Sequence, residues 1–145
     1  IEEQLKQMVY KEFITPEEAE QVSVEKISRF FKTSLGIRMI SADYIKREAP
    51  FFIQLNAGDV YPELKLDECA NEKIMLQGVI DCYFEENGEL VLLDYKTDYA
   101  EDSDKIADRY KKQVELYADA LGKITGKIVK EKYLYLFSSS EIVKL

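Results

Sequence analysis

Residues 78–96 read GVIDCYFEENGELVLLDYK, and the predicted fold is built outward from them. Residues rich in Val, Ile, Leu, Phe and Tyr lie on both sides of the dipeptide Asn87-Gly88. Asn-Gly between two such runs is the strongest short-range signal for a β-hairpin with a two-residue turn. The stretch therefore predicts two antiparallel strands joined at this turn.

The two-residue turn determines which side chains face each other across the hairpin. Glu86 faces Glu89, and counting outward from this pair brings Asp81 opposite Asp94. The β-carbons of directly opposed residues lie roughly 4.5–5.5 Å apart. Lys96 follows Asp94 by two residues, and alternate residues of a strand share a face. A single turn thus predicts two carboxylates and an ammonium group on one small patch.

Opposed carboxylates are unusual in a sheet, because facing like charges are destabilising and Asp is disfavoured in strands. The neighbouring residues are apolar, which predicts partial burial, and a buried unpaired carboxylate is costly. A divalent cation held by Asp81 and Asp94 would remove the repulsion, and Mg²⁺ binds hard oxygen ligands while keeping several waters. One such water, or a water oriented by Lys96, could attack a phosphodiester.

Two other interpretations remain open at this point of the argument. Asp81, Lys96 and Asp94 could form a cross-strand salt-bridge cluster on a solvated face, since surface ion pairs are common and contribute little stability. Alternatively, a slip of the hairpin register by one residue would move the two carboxylates to opposite faces of the sheet.

The first part of the chain, residues 1–36, has the spacing of apolar residues that predicts helices. Thr15 is followed by Pro and, at the third position, by Glu18, which is the pattern of a capping box at a helix start. Ser23 is a second N-cap, and the helix that follows it is predicted to end near Gly36.

The remaining segments complete an α/β domain with a mixed central sheet flanked by helices. Residues 43–96 are predicted as strands, with a polar loop between the first strand and the hairpin. Pro50 indicates that the first strand is bent or interrupted there, at a sheet edge. A helix is predicted over 103–121 and a last strand over 132–137. We treat 1–145 as a single domain.

Composition narrows the classes of protein that fit this chain. It has 145 residues, 46% of them hydrophobic, and a formal net charge of −8. This balance suits a folded globular domain, and no apolar run approaches the roughly 18–20 residues that span a bilayer. The chain has no histidine and two cysteines, Cys69 and Cys82, which argues against a zinc site or a four-cysteine iron–sulfur cluster. A cytoplasmic location is expected.

The spacing of three short motifs resembles that of RecB-like nucleases in the PD-(D/E)xK superfamily. Residues 78–81 (GVID), 94–97 (DYKT) and 113–117 (QVELY) match the GxxD, DxK and QxxxY motifs of that family in order and interval. The similarity extends upstream to REAPF at 47–51 and covers about residues 20–137. The DYKTD sequence is especially similar to nuclease domains of bacterial ATP-dependent helicase–nucleases that process double-strand breaks.

The resemblance implies Mg²⁺-dependent hydrolysis of DNA phosphodiesters, with Mn²⁺ as a substitute metal. Asp81 and Asp94 would be metal ligands, together with the backbone carbonyl of Tyr95. Lys96 would position or activate the attacking water and stabilise charge on the phosphate. Gln113 would contact the substrate or order the metal shell, whereas without the resemblance a solvated helix position would be the better interpretation.

Three further residues have an accessory role under the resemblance. Glu48 lies in the E-x-P-F stretch and would approach the site from a neighbouring strand, or would only pair with a basic side chain. Thr97 would hydrogen-bond near the site or simply end its strand. Tyr117 would share a helix face with Gln113, although packing in the core is an equally simple role for its ring.

The relatives also suggest the setting in which such a domain works. They carry a metal-binding His on an earlier helix, and we expect that helix to precede residue 1 in a larger helicase–nuclease of which this chain is the C-terminal part. The isolated chain is then expected to have low activity. The expected partners are DNA, delivered as a single strand by the helicase motor, and a second nuclease subunit. The expected mode is exonucleolytic, in double-strand-break repair and recombination.

Two rival functions follow from other interpretations of the same residues. The chain could be an inactive nuclease-like domain that binds DNA or docks a subunit. It could also be a domain in which the cluster of Asp81, Asp94 and Lys96 is purely structural. For the nuclease domain, the acidic net charge predicts weak intrinsic affinity for DNA.

Overall fold

The computed structural model describes residues 1–61, 63, 66, 68–97 and 103–145. Four helices precede a five-stranded sheet, and one long helix connects the third and fourth strands. None of the helices in these ranges is long and apolar enough to cross a membrane. The elements in chain order are α1 (Glu2–Tyr10), α2 (Pro16–Gln21), α3 (Val24–Lys32), α4 (Ser34–Ser41), β1 (Tyr44–Asn56), α5 (Ala57–Val60), a 3-10 turn (Glu68–Asn71), β2 (Lys73–Glu86), β3 (Glu89–Lys96), α6 (Ser103–Thr125), β4 (Val129–Leu136) and β5 (Glu141–Lys144).

The sheet is mixed, which agrees with the predicted fold class. Its strand order is β1-β2-β3-β4-β5. The β1–β2, β2–β3 and β4–β5 pairs are antiparallel, whereas β3 and β4 are parallel. Parallel neighbours need a crossover connection, and α6 supplies it. β1 is an edge strand, as predicted from Pro50, but Pro50 does not interrupt it. Pro50 pairs with Val79, and the ladder is irregular at Glu48 instead.

Two hydrophobic cores cover the two faces of the sheet. The α6-side core lies between α6 and the sheet, and the α3/α4-side core lies on the opposite face. Residues 90–94 of β3 are all buried, as expected for a strand covered on both faces. The α6-side core includes Phe51, Ile80, Leu90, Leu92, Ile106, Val114, Leu121, Leu134 and Leu136, and the α3/α4-side core includes Phe30, Leu35, Met39, Cys82, Phe84, Val91, Leu93 and Tyr135.

The predicted helix starts are present, but the predicted end near Gly36 is wrong. Thr15 caps α2 in a reciprocal capping box with Glu18, and the Ser23 side chain accepts from a backbone N–H of α3. After α3, Thr33 caps a further helix, α4, so helical structure continues to Ser41. Gly36 lies within α4, at the place where this helix packs closely against α3. A β-carbon at this position would be 2.2 Å from the Phe30 carbonyl oxygen. The glycine permits close packing rather than ending a helix.

Other element bounds also differ from those predicted. The helix predicted over 103–121 continues to Thr125, and the strand predicted over 132–137 begins at Val129 and ends at Leu136. β5 was not predicted, because four residues are too short to show a clear alternating pattern. It forms because β4 offers it an antiparallel edge.

Candidate active site

The β2–β3 hairpin has the predicted register. Asn87 and Gly88 form the turn with positive φ angles of 57° and 82°, and Glu86 pairs with Glu89. The ladder continues as far as the pair of Cys82 with Leu93. The next two residues in this register are Asp81 and Asp94, which lie where the described ladder ends.

Asp81 closes the end of this ladder with its side chain. Its Oδ2 accepts a hydrogen bond from the backbone N–H of Tyr95 at 2.9 Å. A carboxylate oxygen therefore satisfies a backbone donor of β3 at the place where the main-chain ladder stops. This contact ties Asp81 to the strand that carries Asp94.

β1 is irregular directly opposite Asp81. The ladder pairs Arg47 with Cys82 and Ala49 with Ile80, and the intervening position of β1 is Glu48. Glu48 has a φ of 48°, in the left-handed region that a non-glycine residue adopts only at a cost. Glu48 and Asp81 thus face each other across a break in both neighbouring ladders.

The break changes the face that each strand presents. In a regular strand, residues separated by an even number of positions share a face. Ile45 nevertheless packs in the α3/α4-side core and Ala49 in the α6-side core. In β2, Cys82 and Ile80 likewise belong to opposite cores. Asp81 therefore lies at a kink in the sheet and belongs to neither core. We call this place, where the ladder between β2 and β3 ends, the fork.

Asp94 is the only polar or charged residue among the buried side chains of the described chain, with 2% of its surface exposed. Burial raises its pKa above the usual range for Asp, and the ammonium of Lys96 opposes that shift. Lys96 Nζ forms an ion pair with Asp94 Oδ2 at 2.7 Å, and among the described residues Oδ2 has no other partner. A buried carboxylate with a single partner is suited to a cation ligand.

Lys96 is held between a carboxylate and an aromatic ring. Its ammonium lies 4.1 Å from the centroid of the Tyr110 ring on α6, within the range of a cation–π contact. Its side chain is 14% exposed, so the charge reaches the surface of the fork with a defined orientation. The contact of Tyr110 with Lys96 was not predicted. The spacing of Tyr110 from Gln113 and Tyr117, three and seven residues along one helix face, was the available signal.

Tyr95 is fixed from both sides. Its ring packs edge-on against Phe30 at 5.6 Å and tilted against Phe137 at 5.7 Å. Its hydroxyl lies 3.8 Å from Met39 Sδ, and burial raises the pKa of this phenol. The α3/α4-side core thereby immobilises the residue whose backbone N–H holds Asp81.

The other predicted site residues are Gln113, Tyr117, Thr97 and Glu48. Gln113 Nε2 donates to Tyr117 Oη at 2.9 Å, and both residues are on α6. Thr97 is exposed directly after the end of β3. Glu48 is exposed in the kink opposite Asp81. Asp81 and Asp94 therefore lie at the same end of the β2–β3 ladder, and Gln113 and Tyr117 form a hydrogen-bonded pair on α6.

The donor set fits a hydrated divalent cation. Within the described ranges, no group of three or more His, Cys, Asp or Glu side chains converges on one point. Asp81 and Asp94 supply two carboxylates, and Mg²⁺ commonly takes one or two carboxylates and keeps several waters. The burial of the Asp94 carboxylate, which disfavours its charge, is the observation that favours such an ion.

Comparison with known proteins identifies the class to which this fold and fork belong. The chain matches the PD-(D/E)XK nuclease superfamily over residues 2–144 and belongs to it. The prediction drawn from the GxxD, DxK and QxxxY spacings is thereby confirmed.

Curated relatives resemble this chain along its whole length, and each is the A-type subunit of an ATP-dependent helicase/nuclease. The chain is 52% identical over 146 residues, 99% of its length, to the protein of Thermoanaerobacter sp. (strain X514). It is 48% identical over 145 residues, 100% of its length, to the proteins of Clostridium kluyveri (strain ATCC 8527 / DSM 555 / NBRC 12016 / NCIMB 10680 / K1) and Clostridium botulinum (strain Loch Maree / Type A3). The chain spans 12%, 12% and 11% of the lengths of these three relatives.

Proposed function

We propose that this chain is the metal-dependent DNA nuclease domain of a helicase–nuclease. The observation that carries the proposal is the fork itself: two carboxylates and an ammonium gathered where β2 and β3 part, in a chain of the PD-(D/E)XK nuclease superfamily. Asp94 is almost fully buried although burial disfavours its charge. A purely structural surface ion pair would need no such burial.

In the proposed site, Asp81 and Asp94 hold the cation, with the backbone carbonyl of Tyr95 as a further oxygen ligand. Mg²⁺, or Mn²⁺ in its place, supplies positive charge to the oxygens of the phosphate when bound. Tyr95 N–H keeps the Asp81 carboxylate in one orientation, since one of its oxygens is already engaged. This preorganisation is what the chain contributes before any substrate arrives.

Lys96 is proposed to act as a donor and not as a base. Its ammonium is paired with Asp94, and an ammonium group donates hydrogen bonds but accepts none. It therefore orients the attacking water or stabilises charge on a phosphate oxygen. In the reaction, the water oxygen bonds to phosphorus and the ester P–O bond breaks. One proton of the water goes to solvent, and the departing oxygen takes up a proton.

The wider role is proposed from the relatives, whose name joins a helicase and a nuclease. We propose that a helicase motor in the same polypeptide delivers a single DNA strand and that cleavage is exonucleolytic. We further propose that the protein acts in the cytoplasm, in double-strand-break repair and recombination, and that a second nuclease subunit is its partner. Treatment of 1–145 as one nuclease domain of a longer chain belongs to the same proposal.

A second candidate function is a nuclease-like domain that binds DNA or docks a subunit without cutting. One observation favours it: within the described residues no group of three or more acidic, His or Cys side chains gathers to hold a metal ion. The net charge of −8 repels phosphate and therefore favours the docking role over the DNA-binding role. Against it, Asp81, Asp94 and Lys96 are all present, and an inactive copy has no need of all three.

The test is cleavage of labelled single-stranded DNA by the full-length polypeptide that carries this sequence. Asp94→Asn removes one charge with almost no change of shape and is expected to lower cleavage in Mg²⁺ by at least 100-fold. Asp43→Asn, at an exposed position before β1, is the matched control and should cleave as the wild type does. Equal cleavage by Asp94→Asn and Asp43→Asn would exclude the nuclease proposal, and DNA binding without cleavage by the wild type would favour the second candidate.

A further inference from the structure

The ring of Tyr110 is one of two groups that hold the Lys96 ammonium. The other is Asp94, whose Oδ2 lies 2.7 Å from Lys96 Nζ. The centroid of the Tyr110 ring lies 4.1 Å from the same nitrogen, within the range of a cation–π contact. The backbone of Lys96 is fixed separately, because its carbonyl oxygen accepts a hydrogen bond from the Phe137 N–H at 2.9 Å. The carboxylate and the ring therefore hold the end of a long and flexible side chain.

Lysine–ring contacts occur at two other places in the described part of the chain, and both are longer. Lys112 Nζ lies 5.6 Å from the centroid of the Tyr61 ring, and Lys144 Nζ lies 5.8 Å from that of Tyr133. Lys112 and Lys144 are both exposed, whereas the Lys96 side chain is only 14% exposed. A cation–π contact strengthens as water is removed from the cation. The contact at Lys96 is therefore the strongest of the three.

Tyr110 lies on the face of α6 that packs against the sheet. Ile106 and Val114, four residues before and after it, are buried in the α6-side core, and residues four apart share a helix face. Tyr110 is partly buried against the same core. An aliphatic side chain would also pack there, but only an aromatic ring offers an ammonium a face of negative potential. Packing alone therefore does not require an aromatic residue at this position.

The proposed function gives the ammonium a need for this second partner. In that function Asp94 also binds a divalent cation, so that one carboxylate attracts two positive groups that repel each other. The attraction that holds Lys96 at Asp94 in the absence of metal is then reduced. A further carboxylate could hold the ammonium but would repel the phosphate, whereas a ring face attracts it and adds no net charge.

We propose that Tyr110 is a positioning residue whose ring face keeps the Lys96 ammonium at the fork when Asp94 binds a divalent cation. The inference rests on the proposed nuclease function, in which Lys96 orients the attacking water or stabilises charge on a phosphate oxygen. Tyr110 acts only through Lys96 and contacts neither the substrate nor the metal. The attraction comes from the ring and not from the hydroxyl, so phenylalanine should serve at this position and leucine should not.

The first experiment measures initial rates of cleavage of a single-stranded oligonucleotide by the full-length polypeptide in saturating Mg²⁺. Tyr110→Leu keeps an apolar side chain against the core and removes the ring face. Loss of a cation–π contact corresponds to about a 3- to 30-fold change, and kcat should fall by that factor. KM for DNA should change by less than about twofold, because a misplaced group costs orientation and not binding. Tyr110→Phe should rescue kcat to within about twofold of the wild type, since it keeps the ring.

The second experiment follows the lysine itself and needs no DNA. The full-length polypeptide is treated with acetic anhydride, which acylates accessible lysine amines, and the labelling of Lys96 is measured by mass spectrometry. In Mg²⁺, Lys96 of Tyr110→Leu should be labelled about 3- to 30-fold faster than Lys96 of the wild type or of Tyr110→Phe. In EDTA the Asp94 carboxylate holds the ammonium, and the three proteins should differ by less than about twofold.

Tyr61→Leu is the matched control, because it removes the ring beside Lys112 on the same helix as Tyr110. It should change neither kcat nor the labelling of Lys96. A merely structural role for Tyr110 would raise the labelling of many lysines of Tyr110→Leu in EDTA as well as in Mg²⁺, and this result would overturn the proposal.

Two further results separate the inference from the function on which it rests. If the wild type cleaves DNA and Tyr110→Leu cleaves at the same rate, or Tyr110→Phe loses as much activity as Tyr110→Leu, only the positioning role of the ring is overturned. If the wild type cleaves no DNA with Mg²⁺ or Mn²⁺, the proposed function fails and the inference fails with it.

Discussion

Gly36 and Gly122 both lie within helices, yet alanine at these two positions is expected to change stability in opposite directions. Alanine is favoured over glycine in a helix by up to about 1 kcal/mol. At Gly122 on α6 the added β-carbon would meet only the Lys127 carbonyl oxygen at 3.5 Å, an ordinary contact. Gly122→Ala is therefore expected to stabilise the chain by up to about 1 kcal/mol.

At Gly36 the same β-carbon would collide with backbone. It would be 2.2 Å from the Phe30 carbonyl oxygen and 2.9 Å from the Phe31 Cα. Backbone atoms cannot rotate away, so α3 and α4 would have to move apart, and they carry the buried side chains Phe30, Leu35 and Met39. Overpacking costs about 1–3 kcal/mol. We take the upper value of about 3 kcal/mol, because the contact is with backbone, and subtract about 1 kcal/mol for the better helix propensity of alanine. Gly36→Ala should then lower the free energy of unfolding by about 2 kcal/mol.

The assay is urea unfolding of the two variants and the wild type, followed by far-ultraviolet circular dichroism. The urea concentration at the midpoint should be highest for Gly122→Ala, intermediate for the wild type and lowest for Gly36→Ala. The free energies of unfolding of the two variants should differ by about 3 kcal/mol. The common slope of the three transitions is the check that only stability has changed. A Gly36→Ala protein as stable as Gly122→Ala would refute the close crossing of α3 and α4.

Three other perturbations have expected outcomes. Burial raises the pKa of Asp94, so the charged form of this residue lowers the free energy of unfolding as the pH rises through that raised value. The stability of Asp94→Asn relative to the wild type should therefore increase with rising pH. Mg²⁺ should raise the melting temperature of the wild type but not that of Asp94→Asn. Glu48→Gly should stabilise the chain by about 1 kcal/mol relative to Glu48→Ala in urea melts, since glycine adopts positive φ without the penalty that an L-residue carries. Hydrogen bonds from Arg38 and then Lys130 lower the pKa of Glu86 from 4.5 to about 2. The stability that these contacts provide is complete above pH 4.5 and is lost as the pH falls towards 2. In an acid titration, Glu86→Gln should therefore lose less stability than the wild type over that interval.

The hairpin and the helix starts could be predicted because their causes are local. Asn87-Gly88 adopts positive φ angles with little strain, and this alone sets the pairing of Glu86 with Glu89. Thr15 and Glu18 satisfy each other's backbone N–H groups within four residues. Because this register places Asp81 and Asp94 at the same end of the ladder, their proximity could be predicted without the rest of the fold.

Features that depend on contacts between distant segments could not be predicted. The crossing of α3 and α4 makes Gly36 an internal helix residue, against its usual preference for helix ends. β5 exists because β4 has an edge to pair with. The left-handed φ of Glu48 follows from the kink that β1 and β2 share.

The amino-acid order was enough to define the mixed α/β class, the hairpin register and the three residues of the fork, Asp81, Asp94 and Lys96. Each of these follows from turn chemistry or from the period of a strand, which act over a few residues. Only the folded chain shows that Asp94 is buried, that Tyr95 N–H engages Asp81, and that Lys96 rests on Tyr110. Burial and electrostatic contacts depend on which surfaces meet, and those surfaces meet only when α6 and the α3/α4 pair close over the two faces of the sheet.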